Sequence, residues 1–342
     1  MSRPALLGDI GGTNARFALT TPGAIAPHAI HSLPCADYSG PVAAIRDYLT
    51  RVGIDGANLD DSRYPREICL AFACPVHNER IAMTNNPWSF TRQEVREALG
   101  LTLFKVINDF EAQALGVPHV AEHELVTLQP GITAPHATRL VIGPGTGLGM
   151  AGVFPGKHGW IPLPTEGGHV SFAPTDQQEL ALLDYFRRRC FRHDCFHHDG
   201  CPHHDGRISV ERLLCGQGML NLYFAHCALG GATPSCDSPA AVTRAAANGD
   251  ALARDTILRF LKILGDVSGD AALTLGARGG VYLCGGILPR LLDWLPESRF
   301  LEAFTHKGRM QRYTADIPVK VVTAPWTGLL GAAEALYNEE VD

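Results

Sequence analysis

The chain has 342 residues, of which 46% are hydrophobic and 19% are charged, and its formal net charge is -6. Such a composition is typical of a soluble globular protein, and the length favours two domains over one. A negative chain presents no broad basic field, so we expect no nucleic-acid partner. Residues 1–10 lack a cationic and apolar leader, and no apolar run reaches about 18 residues, so we expect a cytoplasmic protein with no membrane partner.

The first third of the sequence predicts alternating strands and helices. A strand at 5–7, a tight turn at 9–14 and a strand at 15–19 open the chain, and an amphipathic helix (41–51) and a buried strand (68–73) follow. Residues 91–99 predict a helix with Thr91 as its N-cap and Glu94 three residues on, which is a capping box. A strand at 104–107 then ends directly before Asn108 and Asp109.

After Val117-Pro118 the opening pattern partly repeats. A strand at 140–142, a glycine-rich turn at 143–149 and a strand at 150–154 resemble the first turn with its flanking strands, which indicates two related halves. Helices are predicted at 180–189, 209–228 and 250–275. A strand at 281–284 precedes Gly285-Gly286, and a last helix runs from about 328 to 338.

The two glycine-rich turns have the residue types that bind polyphosphate. Glycine lets backbone N–H groups approach anionic oxygens without an intervening side chain. In the first turn Asp9 would hold Mg²⁺ through water, and the Thr13 hydroxyl would bind the phosphoryl oxygens. The second turn and Gly285-Gly286 would hold the same nucleotide from the other side. Plain structural hairpins remain the alternative for each turn taken singly. The candidate residues are Asp9, Gly11, Gly12, Thr13 and Asn14 in the first turn, and Gly145, Thr146, Gly147 and Gly149 in the second.

Polar side chains that follow predicted strands are candidates for acceptor chemistry. Phosphoryl transfer to a hydroxyl needs a positioned carboxylate that accepts its proton, and Asp109 at a strand end can do so. A helix N-cap is the alternative role for Asp109. Its neighbour Asn108 can hydrogen-bond other hydroxyls. Glu166 and His169, which flank two glycines, fit a bidentate contact to adjacent hydroxyls, although a satisfied buried histidine is the alternative for His169.

An ordered set of motifs across nearly the whole chain resembles the bacterial glucokinase family. The spacing of the set makes the resemblance more specific than any single motif, since single motifs recur across the actin-like ATPase superfamily. The motifs are DIGGTNAR (9–16), MTN (83–85), INDF (107–110), GTGLG (145–149), EGGH (166–169), SVER (209–212), GGILPR (285–290) and GLLG (328–331).

The resemblance implies an α/β, two-domain hexokinase-like fold of the actin-like ATPase, ribonuclease H-like kind. A small α/β domain (1–118 plus 324–342) and a larger α+β domain (119–323) would enclose a cleft. The implied activity is ATP-dependent phosphorylation of D-glucose to glucose 6-phosphate, the first step of glycolysis, by a homodimer that needs Mg²⁺. Position by position, Asp109 resembles the family's catalytic base. The residues that resemble the family's sugar ligands are Asn108, Asp109, Glu166, His169 and Glu211. The two glycine turns resemble the phosphate segments, and Gly285-Gly286 resembles the adenosine segment.

Two other functions remain open from the sequence. A kinase for another hexose would use the same ligand types, because the sequence does not display the hydroxyl stereochemistry that they select. A non-catalytic sugar sensor or an actin-like ATPase scaffold is the third possibility. Retention of Asp109 disfavours the sensor, and the full set of sugar ligands disfavours the scaffold. A compact zinc motif after His169 and an N-terminal helix-turn-helix, typical of related repressors, are both absent from the sequence.

A segment at about 190–205 departs from the family pattern by its length and its density of Cys and His. Thiolates and imidazoles suit a tetrahedral zinc shell, and the simplest set is Cys190, Cys195, Cys201 and His204. Its spacing fits no standard zinc finger, and a solvated loop is the alternative. The other cysteines, in a chain without a secretory signal, are expected to be buried thiols.

Overall fold

Two mixed β-sheets carry the architecture of the computed structural model, which describes residues 3–191 and 206–341. The strands of the described chain are β1 (Ala5–Ile10), β2 (Asn14–Thr20), β3 (His28–Pro34), β4 (Glu67–Phe72), β5 (Arg80–Ala82), β6 (Ser89–Thr91), β7 (Leu103–Asn108), β8 (Leu125–Gln129), β9 (Arg139–Pro144), β10 (Leu148–Pro155), β11 (Trp160–Pro164), β12 (Val281–Leu283) and β13 (Val319–Val322).

The helices of the described residues surround these sheets. They are α1 (Pro41–Arg51), α2 (Arg92–Leu99), α3 (Asp109–Gly116), α4 (Gln177–Phe191), α5 (Gly216–Leu229), α6 (Pro239–Ala247), α7 (Ala251–Leu275), α8 (Phe300–Thr305), α9 (Gln311–Ala315) and α10 (Thr327–Tyr337). None of them is both long and apolar enough to cross a membrane.

The two sheets repeat one strand arrangement. The first has the order β3-β2-β1-β4-β7, in which β1 to β3 form an antiparallel meander and β1, β4 and β7 are parallel. In the second sheet, β11-β10-β9-β12-β13 has the same order and directions, and β8 is added at the edge. The two related halves predicted from the glycine turns are therefore visible as a repeated topology.

Helices α3 and α10 lie between the two sheets. Their apolar residues pack with Leu7, Cys69 and Ile107 of the first sheet and with Val141 and Tyr282 of the second in one buried cluster. The outer face of the first sheet is covered by α1 and α2, and the outer face of the second is covered by α5, α7 and α8. Apolar burial on both faces of each sheet stabilises this layered order.

Glycines allow the backbones of α3 and α10 to touch. A Cβ on Gly331 would lie 1.7 Å from the carbonyl oxygen of Ala112, and one on Gly116 would lie 2.1 Å from that of Thr327. Both distances are far below a van der Waals contact, so no other residue fits without separating the helices. This close crossing fixes α3, which begins at Asp109, against the returning C-terminal helix.

Local sequence signals account for several element ends. Thr91 Oγ1 accepts the Glu94 N–H at 3.1 Å, and Glu94 Oε2 accepts the Thr91 N–H at 2.6 Å, which confirms the predicted capping box. Helix α2 ends at Leu99, and Gly100, with a φ of 58°, is its left-handed C-cap. The predicted helices at 41–51 and 250–275 are also confirmed, the second with Asp250 as its N-cap.

The single helix predicted for 209–228 is wrong. Residues Val210–Arg212 form a short 3-10 turn, and α5 begins only at Gly216. The Cys215 thiol acts as the N-cap by accepting the Gly218 N–H at 3.2 Å. A Cβ on Gly218 would also lie 2.5 Å from the backbone of Leu213, so the chain bends tightly at this point.

Candidate active site

Two predicted acidic residues lie at the carboxyl edge of the first sheet. Asp9 is the penultimate residue of β1, and Asp109 follows the last residue of β7. The register aligns Asp9 with Ala71 of β4, and Ala71 with Ile107 of β7. Because parallel strands end on one side of their sheet, this edge is where an open α/β sheet binds ligands.

The start of α3 places Asp109 at the first helical position. Asn108 is the N-cap, since its Oδ1 accepts the Phe110 N–H at 2.9 Å and its own N–H donates to Glu111 Oε2 at 3.3 Å. The alternative in which Asp109 itself caps the helix is therefore wrong. Asp109 Oδ1 shares the Phe110 N–H at 3.0 Å, which orients the carboxyl group.

The surroundings of Asp109 favour its protonated form. Burial, and to a smaller extent the negative charge of Asp9, raise the pKa of Asp109 to about 7. Hydrogen bonds from the start of α3 oppose this shift. A carboxyl group with a pKa near neutrality can both accept and release a proton under physiological conditions.

Asp9 faces a guanidinium group across the first hairpin. Burial raises the pKa of Asp9, and Arg16 opposes that rise through its charge and a 3.3 Å ion pair with Asp9 Oδ2. The two residues stand directly opposite each other in the β1–β2 register. The sequence analysis assigned no role to Arg16, although a hairpin closed at residues 11–13 places these opposite charges face to face.

The first glycine turn is closed by an internal hydrogen bond and packs against two other segments. The Gly11 N–H closes the hairpin on the Asn14 carbonyl at 2.9 Å, and the Thr13 carbonyl accepts the Cys35 N–H at 2.8 Å. A Cβ on Gly12 would lie 2.7 Å from that of Asn85, so glycine is required here for close packing. Thr13 is exposed at the tip of the turn.

The second glycine turn joins β9 to β10 and packs against α3. The Gly145 N–H donates to the Gly147 carbonyl at 2.8 Å. A Cβ on Gly149 would lie 1.8 Å from the ring of Phe110, so glycine makes room for the side chain that follows Asp109. The second turn is thereby seated against the helix that carries the candidate base. Thr146 is exposed at its tip.

Gly285-Gly286 follows β12 and lies beside the second turn. Gly285 has a φ of 90°, and a Cβ on it would lie 2.6 Å from the Pro144 carbonyl oxygen. A left-handed backbone and a close approach both require glycine at this position. No atom lies within 4 Å of the place where a Cβ on Gly286 would project, so that face of the segment is open.

Three predicted sugar ligands form one cluster. His169 Nε2 lies 3.8 Å from Glu166 Oε2, and His169 Nδ1 lies 3.9 Å from Glu211 Oε1. The histidine side chain is 59% exposed, so the alternative of a buried structural histidine is wrong. Glu211 Oε2 also accepts the Leu148 N–H at 2.8 Å, a contact with the second turn that the sequence analysis missed.

The predicted zinc ligands lie outside the described side chains. This applies to Cys190, Cys195, Cys201 and His204. Within residues 3–191 and 206–341, no group of three or more His, Cys, Asp or Glu side chains is arranged to hold a metal ion. The cysteines that are described are unpaired and buried, as predicted, namely Cys35, Cys69, Cys74, Cys215, Cys227, Cys236 and Cys284.

Comparison with solved structures defines the class of the fold. A glucokinase from an Antarctic psychrotroph superposes with a TM-score of 0.84 at 34% identity, covering 98% of this chain and 99% of that one. A ROK hexokinase from Thermus thermophilus shares the fold with a TM-score of 0.65 at 19% identity, covering 98% of each chain. The mixed α/β fold is therefore that of the sugar kinases.

Sequence comparison identifies the family. The family model described as Glucokinase matches residues 6–339. A glucokinase from Chromohalobacter salexigens is 64% identical over 341 residues, which cover 100% of both chains. The chain belongs to the glucokinase family, and the resemblance drawn from its motifs is confirmed.

Proposed function

We propose that this kinase transfers the γ-phosphoryl group of ATP to the 6-hydroxyl of D-glucose, with Asp109 as the general base. The observation that carries the proposal is the placement of Asp109 at the sheet edge, with its pKa raised to about 7. The proposed sugar ligands are Asn108, Asp109, Glu166, His169 and Glu211. The proposed donor contacts come from the two glycine turns and Gly285-Gly286.

In the proposed reaction the 6-hydroxyl oxygen attacks the γ-phosphorus while the bond from that phosphorus to the bridging oxygen of ADP breaks. The hydroxyl proton passes to Asp109, and ADP leaves with the bonding electrons. The transition state of phosphoryl transfer is loose, so the protein contributes chiefly by positioning and by stabilising charge. Backbone N–H groups at the tips of the two turns, at Gly12, Thr13, Thr146 and Gly147, would supply the charge stabilisation.

The residues at the sheet edge fit a bound Mg²⁺. Burial and the neighbouring carboxyl group both disfavour negative charge here, and a hard divalent cation with oxygen ligands compensates such charge. Asp9 would hold the ion through water, and the ion would neutralise phosphate charge when bound. Arg16 supplies positive charge to Asp9 at 3.3 Å.

The repeated strand order supports the two-domain, actin-like form of the fold. We place the small domain at 1–118 plus 324–342 and the large domain at 119–323, because the five-stranded sheet falls in the first part and the six-stranded sheet in the second. A cleft between the domains would hold both substrates. Family precedent extends the proposal to a cytoplasmic homodimer.

An assay of ADP release tests the proposed function. The protein is incubated with ATP, Mg²⁺ and each of a set of hexoses, and a parallel preparation of Asp109→Asn controls for host kinases. We expect turnover with glucose to exceed turnover with its epimers. A clear preference for another hexose would establish the other-hexose kinase, and glucose binding without turnover would establish the sensor.

A further inference from the structure

Glu211 is the residue at which the sugar ligands meet the second glycine turn. Its Oε2 accepts the N–H of Leu148, a residue of the second turn, at 2.8 Å. Its other oxygen, Oε1, lies 3.9 Å from His169 Nδ1 in the sugar cluster. The two oxygens of one carboxylate therefore face two different parts of the site.

The packing around Glu211 leaves the turn little freedom. A Cβ on Gly147 would lie 2.5 Å from Glu211 Oε2, and one on Gly168 would lie 2.1 Å from the Leu148 carbonyl oxygen. The Gly216 N–H donates to the Gly145 carbonyl at 2.9 Å. The second turn is therefore in contact with residues 166–169 on one side and with residues 211–216 on the other.

The 3-10 turn at Val210–Arg212 places Glu211 between the second turn and His169. A continuous helix through 209–228 would have replaced the bend that precedes Cys215. The 3-10 turn is hydrogen-bonded to the residue that follows His169, because the Val210 N–H donates to the Val170 carbonyl at 2.9 Å. Glu211 is partly exposed, with 31% of its side chain accessible, so its free face is open to a ligand.

We propose that Glu211 is a positioning residue that couples glucose binding to nucleotide binding. One oxygen holds the donor turn through Leu148 while the other accepts a sugar hydroxyl, so each ligand orders the carboxylate for the other. A glucose contact at Oε1 would restrict the carboxylate and so hold Oε2 on the Leu148 N–H, and the nucleotide would then meet a turn that is already ordered. This inference rests on the proposed function for the sugar side of the contact.

Coupling of this kind is reciprocal and can be measured by calorimetry. The affinity of a non-hydrolysable ATP analogue with Mg²⁺ is determined without glucose and with saturating glucose, and the ratio is the coupling factor. We expect a factor of about 5 or more for the unmodified protein. Glu211→Gln has one acceptor oxygen for two donors, so its factor should fall close to 1.

Glu166→Gln is the matched control. Glu166 lies in the same sugar cluster, 3.8 Å from His169, and its side chain is 79% exposed. This variant should lose glucose affinity but keep the coupling factor once glucose is saturating. Coupling by domain closure alone would leave the factor the same in both variants, and that result would overturn the proposal.

A second pair of variants tests the same contact without changing Glu211. Gly147→Ala places a methyl group 2.5 Å from Glu211 Oε2, whereas Gly145→Ala meets no atom closer than 3.9 Å. Only Gly147→Ala should lower the coupling factor, and equal factors in the pair would contradict the proposal. Thermal unfolding confirms that each variant is folded. Glucose that produces no binding heat in the unmodified protein would overturn the proposed function itself.

Discussion

The burial of Asp109 and its proposed role as a base have opposite requirements for the ionisation of its carboxyl group. Its carboxyl group is buried near the acidic Asp9, which raises its pKa to about 7, yet a general base must be ionised to accept a proton. Ionising Asp109 for its proposed role as the base therefore lowers the stability of the fold.

Replacing Asp109 by Asn should remove the base while keeping the shape of the side chain. We expect kcat to fall by about 10²–10⁴, the usual contribution of general base catalysis. Glucose affinity should change little, because an amide oxygen can still accept a hydrogen bond from a sugar hydroxyl. Steady-state kinetics and calorimetry measure the two quantities, and near-normal turnover would show that another group accepts the proton.

The pH dependence of kcat/KM should report the raised pKa. Because the ionised form of Asp109 is the proposed base, kcat/KM for glucose should rise with pH, reach half of its maximum at about pH 7 and level off at higher pH. A coupled assay from pH 5.5 to 8.5 at constant ionic strength checks this. A value of kcat/KM that does not change across this range would be inconsistent with the assignment.

Asp109→Asn should also stabilise the protein in a pH-dependent way. An unfolded Asp has a pKa near 3.8, so the unfolded chain binds fewer protons than the folded one between about pH 4 and 7, and folded-state stability falls as pH rises through this window. Asn carries no charge to bury, so the variant should gain about 1–3 kcal/mol at pH 8 and much less at pH 4. Calorimetric unfolding at both pH values tests this, with the exposed Asp60→Asn as a control that should show no such gain.

At the scale of elements, a buried ionic network ties α4 to α7. Glu179 is fully buried and accepts hydrogen bonds from Lys262 at 2.6 Å and from Arg259 at 2.8 Å. Lys262 also pairs with Asp266 at 2.8 Å. The Thr175 N–H donates to Glu179 Oε2 at 2.9 Å, which connects the segment after the sugar cluster to these helices.

Lys262→Met should destabilise the fold by about 3–5 kcal/mol, because it leaves buried carboxylates without one of their cations. The exposed ion pair between Arg188 and Asp184 within α4 offers the control. Arg188→Met should cost less than about 1 kcal/mol. Urea unfolding of both variants measures the difference, and equal losses would mean that the network contributes no more than a surface pair.

Some helices and strands could be predicted from local sequence patterns, and others could not. The Thr91 capping box, the helix at 41–51 and the strand before Asn108 followed from short-range signals, and all three are present. The break before Gly216 did not follow, because a thiol N-cap and a Glu211 side chain held by Leu148 depend on distant segments. Strand β13 was also missed, since it is short and its pairing partners are remote in sequence.

At the scale of the whole molecule, the candidate site is built where the two sheets approach each other through α3. Phe110 packs against Gly149, and α3 crosses α10 at Gly331. Any change in the angle between the sheets would therefore move the second turn relative to Asp109. This arrangement suits a kinase in which closure excludes water that would compete with the sugar hydroxyl.

Glucose should measurably close the proposed cleft between the two domains. We expect small-angle X-ray scattering to show a smaller radius of gyration with saturating glucose than without it, because closure brings the two sheets nearer. A hexose that the enzyme does not phosphorylate serves as the control sugar. An unchanged radius with glucose bound would show that the cleft is already closed or that closure needs the nucleotide.

Residue types at short spacings were enough to predict the family, the two glycine turns and the acidic and proposed sugar-binding residues. Which of these residues are in contact depends on the fold. The pairing of Asp9 with Arg16, the seat of Gly149 on Phe110 and the bridge from Glu211 to Leu148 join residues that strand register and helix crossing bring together. The raised pKa of Asp109 belongs to the same group, since burial and the charge of Asp9 exist only in the folded chain.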